Sequence, residues 1–396
     1  MAGEIVMARA KENSVSILPV DSEHSAIYQC LKGNLQKDVT RIFLTASGGP
    51  FREKPFDEFN PELVAVLDEK KALELSRVLK RVLKGKRRPE ILFGQAGYCE
   101  AASYGACDTV LLAMVGSAGL KPALCAIEAK KQIALANKET LVMAGEIVMA
   151  KAKENGVSIL PVDSEHSAIY QCLKGNLKKD VTKIFLTASG GPFREKPFDG
   201  FKGITLKDAL NHPTWDMGHK ITIDSATMMN KGLEIIEAVH LFDITHEKIE
   251  VLVHPQSIVH SMVGYKDGSI MAQMGAPDMK GAISYALSQP DRIDLKMEFP
   301  DFISLGALTF EKPDTQKFPS LEFAFEACKQ KGTLPAVMNA ANEMAVGAFL
   351  EKRIGFLDIF KLISKTMELH SRIDNPDLSG IIEADCWARE KVQSQI

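Results

Sequence analysis

Three acids and a lysine carry the clearest chemical spacing in this sequence. Asp163-Ser164-Glu165 directly follows the apolar run Val157-Ser-Ile-Leu-Pro-Val162. If the backbone stays extended there, residues two apart face the same way and two carboxylates share one space. They repel each other unless a cation lies between them, and such oxygen donors suit Mg²⁺ or Mn²⁺. The same spacing fits a helix cap with a solvated acid. Asp224-Ser-Ala-Thr-Met-Met-Asn230-Lys231-Gly-Leu-Glu234 is richer. Lys231 and Glu234 are three apart, so on a helix they share a face. A Lys231 ammonium, an Asn230 amide and a Ser225 hydroxyl there would hold an oxygen-rich anion, and Glu234 would add a third carboxylate. A surface helix with an ion pair would show the same spacing.

Weaker signals surround these two. Thr187-Ala-Ser189-Gly-Gly191-Pro follows a strand pattern. Its backbone N–H groups and the Ser189 hydroxyl would suit a phosphate, though a plain strand-ending turn reads the same. His212-Pro-Thr-Trp215-Asp-Met217-Gly218 holds one of the two tryptophans in a Pro- and Gly-punctuated loop. That suggests a lid closing over a ligand, or a Trp pinned on the domain core. His254 and His260 flank a short loop, and a lone His is more often structural than a ligand. Met279 is more often core filler than a cofactor contact.

Strands and helices alternate around these motifs. Leu63–Leu67, Glu90–Phe93, Thr109–Met114, Gln132–Ala136 and Val157–Val162 read as strands, with helices over Glu69–Lys84, from Gly116-Ser-Ala-Gly119 to Ala129, and over Met143–Asn155. Such alternation predicts an α/β fold, a doubly wound Rossmann-like N-terminal domain with helices on both faces of a parallel sheet. An α+β catalytic domain is expected next. Leu321–Lys331, Leu334–Lys352 and Phe356–Leu369 read as helices with short joints, so a C-terminal helical domain is expected last. The expected units are 1–59, 60–160, 161–290 with a flap near 211–219, a linker at 291–312, and 313–396.

Composition bounds the partners. The chain has 396 residues, 45% hydrophobic and 25% charged, with a formal net charge of −3. No global basic field would draw in nucleic acid or an anionic membrane. No apolar run reaches the roughly 18 residues a membrane helix needs. Seven dispersed cysteines without a C-x-x-C pair point to reduced thiols and a cytoplasmic or similarly reducing setting. Glu4 and Glu12, with no basic region before an apolar core, give no signal-peptide pattern.

The front of the chain repeats a later part of it. Residues 1–59 restate 143–201 and differ only at Arg9/Lys151, Ser14/Gly156, Gln36/Lys178, Arg41/Lys183 and Glu58/Gly200. No solenoid repeat is this faithful. A segmental duplication or an assembly artefact fits better, with one copy in its proper context and the other a graft.

In this order the motifs resemble one family, 1-deoxy-D-xylulose 5-phosphate reductoisomerase. The strings are Ala136-Asn-Lys-Glu-Thr140, Pro161-Val-Asp-Ser-Glu-His166, Thr187–Pro192, His212–Gly218, Asp224–Glu234, His254-Pro-Gln-Ser257 and Leu334-Pro-Ala-Val-Met-Asn-Ala-Ala-Asn-Glu343. The match runs from about Asn60 to the C-terminus. The resemblance implies conversion of 1-deoxy-D-xylulose 5-phosphate to 2-C-methyl-D-erythritol 4-phosphate with NADPH and Mg²⁺ or Mn²⁺, in a homodimer. It implies Asp163, Glu165 and Glu234 as metal ligands and catalytic groups, with Lys138 near substrate and metal. Ser164, Ser189, His212, Ser225, Asn230 and Lys231 match substrate-binding positions, with Ser189, Ser225, Asn230 and Lys231 at the phosphate. His212, Trp215 and Met217 match the flap. Asn137, Glu139, Gly218 and Met279 match cofactor contacts, and Ala113, Met114 and Ala118 weaker ones. His260 matches a histidine near the active site that is not a metal ligand.

The family begins with a strand, a glycine-rich turn of the type G-S-T-G-S-I-G, a helix and a second strand. The turn lets backbone N–H groups and a helix N-terminus approach a pyrophosphate. This sequence has no such turn, and the repeated segment stands in its place. A strand–helix–strand unit over Val15–Thr45 would fill the first slots of the sheet. It would set Asp21 and Glu23 where the diphosphate belongs, and like charges repel. The expectation is NADPH affinity severely weakened or lost, and no catalytic metal on Asp21 and Glu23. The alternative function is a catalytically impaired binder of sugar phosphate and metal on the same scaffold.

Overall fold

The computed structural model describes residues 61–83, 87–213 and 217–396. The unit expected over Val15–Thr45, the expectations for Asp21 and Glu23, and Trp215 lie outside these residues.

Strand β1 (Leu63–Val66) alternates buried and half-buried residues and leads through Asp68 into α1 (Glu69–Val82). Asp68 caps this helix, accepting from the Lys71 N–H at 2.8 Å. Glu69 lies in the first turn and Lys80 and Arg81 in the last, so charge complements the helix dipole at both ends. Strand β2 (Glu90–Phe93) runs parallel to β1 and is followed by α2 (Gly94–Ala102). Then β3 (Thr109–Leu112), α3 (Leu120–Glu128), β4 (Gln132–Leu135), α4 (Glu139–Asn155) and β5 (Ile159–Pro161) alternate. The three strands form one parallel sheet in the order β3-β4-β5. Helix α4 starts four residues before the Met143 suggested by periodicity, breaks helical dihedrals at Ala144, and ends on left-handed Gly156 (φ 67°). The alternating α/β reading holds. Among the described residues β1–β2 and β3–β5 form separate sheets, so β1 and β3 each pair on one side only.

Helix α5 (Ser164–Leu173) follows β5 directly. Strand β6 (Val181–Ala188) then runs through the middle of a mixed sheet, ordered β7-β6-β8-β9. Strand β7 (Ile249–Val253) is parallel to β6, β8 (Val259–Tyr265) antiparallel to it, and β9 (Ile270–Met274) antiparallel to β8. Between β6 and β7 come α6 (His219–Ala226) and α7 (Met229–Phe242), and α8 (Met279–Ser288) follows β9. The last helices are α9 (Ser320–Gln330), α10 (Leu334–Leu350), α11 (Phe356–Leu369) and α12 (Leu378–Gln393). Periodicity anticipates α9 to α11 but not α12.

The C-terminal helices share their core with the rest of the molecule. One buried cluster joins Ile184 and Leu186 of β6, Ile223 of α6 and Leu233 of α7 to Phe356, Ile359 and Ile363 of α11. A second joins Leu112, Ile127, Ile133 and Leu135 to Ala336 of α10 and Ile381 of α12. Each large apolar side chain so buried contributes roughly 1.5–3 kcal/mol, against ~0–1 kcal/mol for an exposed ion pair. Packing therefore fixes where α10 and α12 sit.

Candidate active site

The chain leaves β5 at Pro161 and turns into α5 at Asp163, the N-cap of that helix. Asp163 Oδ1 accepts from the backbone N–H groups of Glu165 (3.1 Å) and His166 (3.4 Å). The backbone is therefore not extended through Asp163-Ser-Glu165. The two acids converge because one caps the helix and the other lies in its first turn. The cap uses only Oδ1; Oδ2 accepts from Lys138 Nζ at 2.9 Å.

The third acid comes from α7. Left-handed Met228 (φ 58°) separates this helix from α6 and sets Asn230, Lys231 and Glu234 facing Asp163. Lys138 Nζ donates to Asn230 Oδ1 (2.7 Å) and Glu234 Oε1 (3.3 Å). Lys231 Nζ donates to Glu165 Oε1 at 2.8 Å and also to Glu234 Oε2. Asn230 Nδ2 donates to Glu234 Oε1 at 2.6 Å. Lys138, Lys231 and Glu234 are 5%, 4% and 0% exposed, which rules out a solvated surface helix with an ion pair.

Three carboxylates thus face two ammonium groups, and His166, raised to about 9 by Glu237 and Asp163 against its burial, stands behind Asp163 as a third cation. The titrations follow from this. Burial alone would raise the Asp163 carboxyl, but the Lys138 ammonium and His166 hold it well below the usual carboxylate range. Burial and the neighbouring Asp163 and Glu165 raise Glu234. Burial alone would lower Lys138 and Lys231, but the surrounding acids raise both.

Asp163, His166 and Glu234 each offer one ligand atom, all within 4.8 Å of one another. Both His166 nitrogens are already engaged, Nδ1 with Asp163 Oδ1 at 3.2 Å and Nε2 with the Glu234 carbonyl at 3.0 Å. His166 stands behind Asp163, and buried Glu237 lies 3.3 Å behind it in turn. Glu165 joins the group through Lys231, one ammonium away from Glu234. Converging carboxylate oxygens fit a hard divalent cation.

The turn after β6 packs against Ser225, whereas Asn230 and Lys231 bond into the acid cluster. Ser189 Oγ lies 3.4 Å from His212 Nε2 and accepts from the Gly191 N–H at 3.4 Å. Gly191 has φ +67°, and a Cβ there would lie 2.6 Å from the Ser225 carbonyl. Only glycine lets this turn pack on α6 beside Ser225. Ser164 Oγ donates to Glu165 Oε2.

The expected cofactor residues lie at the C-terminal ends of β3 and β4. Ala113 and Ala118 are exposed and Met114 half-buried. Asn137 and Glu139 turn their side chains inward. Asn137 Nδ2 donates to the Met114 and Gly116 carbonyls (2.5 and 3.0 Å). Lys220 Nζ contacts Glu139 Oε1 at 2.6 Å and Asp224 Oδ2 at 2.7 Å. Burial would raise Glu139, but Lys220 holds it low. Gly218 precedes α6. Half-buried Met279 packs beside Ala134, Leu160 and Val162. His260 is buried on β8, and burial lowers its pKa despite the nearby Glu165 charge. His166, Glu237 and Lys220 escape residue-by-residue reading. The sequence holds a signal for the first two: each lies three residues after an acid of the cluster, on the same helix face.

Known proteins match most of this chain. The family model "DXP reductoisomerase C-terminal domain" matches residues 274–391, and "1-deoxy-D-xylulose 5-phosphate reductoisomerase" matches 51–145. A third, "1-deoxy-D-xylulose 5-phosphate reductoisomerase C-terminal domain", matches 159–242 and, within and just beyond the repeated segment, 17–68. The 1-deoxy-D-xylulose 5-phosphate reductoisomerase of Desulfosudis oleivorans is 56% identical over 84% of this chain and 86% of its own. A crystal structure of DOX-P reductoisomerase in complex with NADPH, fosmidomycin and magnesium superposes with a TM-score of 0.82 at 41% identity, covering 86% of this chain and 87% of that one. The reductoisomerase from Zymomonas mobilis in complex with NADPH gives a TM-score of 0.76 at 44% identity, covering 85% of each. With relatives more than half identical over most of its length and family models along it, the chain belongs to the 1-deoxy-D-xylulose 5-phosphate reductoisomerase family.

Proposed function

We infer that this chain converts 1-deoxy-D-xylulose 5-phosphate to 2-C-methyl-D-erythritol 4-phosphate, with NADPH as reductant and Mg²⁺ or Mn²⁺ as metal. The observation that carries this reading is the buried convergence of Asp163, Glu165 and Glu234 on Lys138 and Lys231. Asp163, Glu165 and Glu234 would hold the cation. When bound, it supplies Lewis acidity to the substrate's oxygens, and NADPH supplies the hydride.

The chain's own residues bind, orient and exclude water. Asn230 and Lys231, in the first turn of α7, offer an amide and an ammonium to the phosphate end, with Ser189 and Ser225 across from them. Lys138 donates toward substrate oxygen from the β4 side, beside Ser164. His212 and Trp215 belong to the flap that shuts out water, and His260 lines the site on the side of Glu165. Ala113, Met114, Ala118, Asn137, Glu139, Gly218 and Met279 serve the cofactor side. Residues 60–160 form the remaining cofactor domain, 161–290 the catalytic domain, 291–312 the linker and 313–396 the helical domain.

The working unit is a homodimer in the cytoplasm. Edge strand β9 exposes Ile270 and Met271, and Phe299 and Ile303 are each 94% exposed, an apolar surface that a second copy would cover. Cys99, Cys125, Cys172, Cys328 and Cys386 are free thiols. No described helix is long and apolar enough to cross a membrane.

NADPH oxidation that depends on 1-deoxy-D-xylulose 5-phosphate, stops with EDTA and returns with Mg²⁺ is the expected outcome. Substrate and metal binding without oxidation would favour the second reading, an impaired binder. The observation behind that reading is the absence of any G-x-G-x-x-G in residues 1–396.

A further inference from the structure

The motif Leu334–Glu343 belongs to α10, in the helical domain, and no role above uses it. Two of its polar residues reach out of that domain. Asn342 Nδ2 donates to Asp224 Oδ1 at 2.9 Å, behind the Lys220–Glu139 pair. Glu343 reaches the turn that ends β3. Its Oε1 accepts the Ser117 backbone N–H at 3.0 Å and Asn339 Nδ2 at 2.9 Å.

Arg389 of α12 completes the arrangement. Its Nη2 donates to Glu343 Oε2 (2.6 Å) and to Ser117 Oγ (3.0 Å). Its Nε donates to Asp385 Oδ2 at 2.7 Å, so Asp385 fixes the guanidinium from the other side. Gly116 has φ +70°, and a Cβ there would lie 2.8 Å from the Glu343 carboxylate. The turn is thus shaped to accept that carboxylate. Both side chains are largely withdrawn from water, Glu343 14% and Arg389 27% exposed, where charged hydrogen bonds are strong.

This turn lies at the C-terminal end of a parallel strand, the place where open α/β sheets bind their ligands. Exposed Ala113 precedes it and exposed Ala118 lies within it. We propose that Glu343 and Arg389, both in the C-terminal helical domain, are positioning residues for NADPH: they hold the Gly116–Gly119 turn in the shape that the cofactor meets. This rests on the functional reading above.

The test compares Arg389→Ala, Glu343→Gln and Arg389→Lys with the unaltered 396-residue chain. Two quantities decide it: the NADPH dissociation constant, and hydrogen exchange at the amides of Gly116–Gly119 without ligand. Arg389→Ala and Glu343→Gln are expected to speed exchange at the turn and to weaken NADPH about tenfold, the loss of one charged hydrogen bond. KM for 1-deoxy-D-xylulose 5-phosphate should stay within about twofold, because the Asp163 cluster is untouched. Arg389→Lys, which keeps the charge but loses the fork, should recover part of the affinity. Lys151→Ala, which breaks an exposed pair with Glu128, should change neither quantity. Folded variants with unaltered NADPH affinity overturn the positioning role, whether or not exchange quickens. So does an equal loss of NADPH and substrate affinity, which marks general destabilisation. An unaltered chain that binds no NADPH is a different failure, since it removes the functional reading first and the positioning role with it.

Discussion

Lys138 is the residue on which the site's charge balance turns. Its ammonium touches Asp163, Asn230 and Glu234. Replacing it by Met leaves Asp163, Glu165 and Glu234 with Lys231 and, behind Asp163, His166 as their remaining cations. Removing one partner of a buried pair costs on the order of 3–5 kcal/mol, so Lys138→Met should lower the melting temperature of the metal-free protein. Mg²⁺ would then supply the missing positive charge. A ligand that binds only the folded state stabilises it by mass action, so Mg²⁺ should raise the melting temperature of Lys138→Met more than that of the unaltered chain. Equal increments in a thermal-shift titration would show that Lys138 and the metal do not compete for the same oxygens. At this scale much was legible. Residue type and spacing picked out Asp163, Glu165, Lys231 and Glu234, and the quoted strings supplied Lys138. What spacing missed was the support. His166 and Glu237 matter only once α5 and α7 pack, and no local pattern says that a histidine at helix position three will meet an acid from another helix.

Elements were legible where large apolar side chains repeat and obscure where small or polar ones do. Strands β2 and β6 and helices α9 to α11 show plain apolar patterns. The buried stripe of α12 is Ile381, Ala384, Asp385, Ala388 and Val392, spaced as a helix but built mostly from Ala and Asp. A moment carried by such residues is weak, so the helix that holds Arg389 stayed hidden. The α4–α7 contact shows another use of small residues. The His240 ring packs where a Cβ on Gly145 would lie 2.2 Å from it. Burial, helped by the Lys331 charge and opposed by Glu146, holds His240 below its ordinary 6.5. As pH falls through 6.5 the unfolded chain takes up that proton before the folded one does, so folding loses stability toward acid. His240→Gln keeps a polar side chain but cannot titrate. Its melting temperature should fall less between pH 7.5 and pH 5.5 than that of the unaltered chain. Parallel curves would mean that His240 is not the group responsible.

At the scale of the molecule, edge strand β9 and the two sheets β1–β2 and β3–β5, unjoined among the described residues, set the remaining expectations. Ile270 and Ile303 are 57% and 94% exposed, and a charge at each should cost a dimer its apolar contact. Ile270→Glu with Ile303→Glu should shift the sedimenting species to a monomer; an unaltered chain already monomeric would contradict the dimer. The cofactor question is larger. Among the described residues β1–β2 and β3–β5 are not joined. The family's opening strand–turn–helix–strand has no counterpart in residues 1–396, where a near-copy of 143–201 stands instead. The residues proposed for NADPH are Ala113, Met114, Ala118, Asn137, Glu139, Gly218 and Met279, and the sequence holds no glycine-rich turn of the G-S-T-G-S-I-G type beside them. Backbone N–H groups of a glycine-rich turn at a helix N-terminus are a strong attraction for a diphosphate, and without that cradle the cofactor loses them. NADPH affinity should therefore lie well below that of a chain in which residues 1–59 are exchanged for the opening segment of the Desulfosudis oleivorans relative. The same exchange should leave Mg²⁺ affinity nearly unchanged, since Asp163 and Glu165 come from the second copy and Glu234 from α7 beyond it. Isothermal titration of both chains decides the matter. Equal NADPH affinity would mean that the repeated segment itself supplies the cradle, despite Asp21 and Glu23.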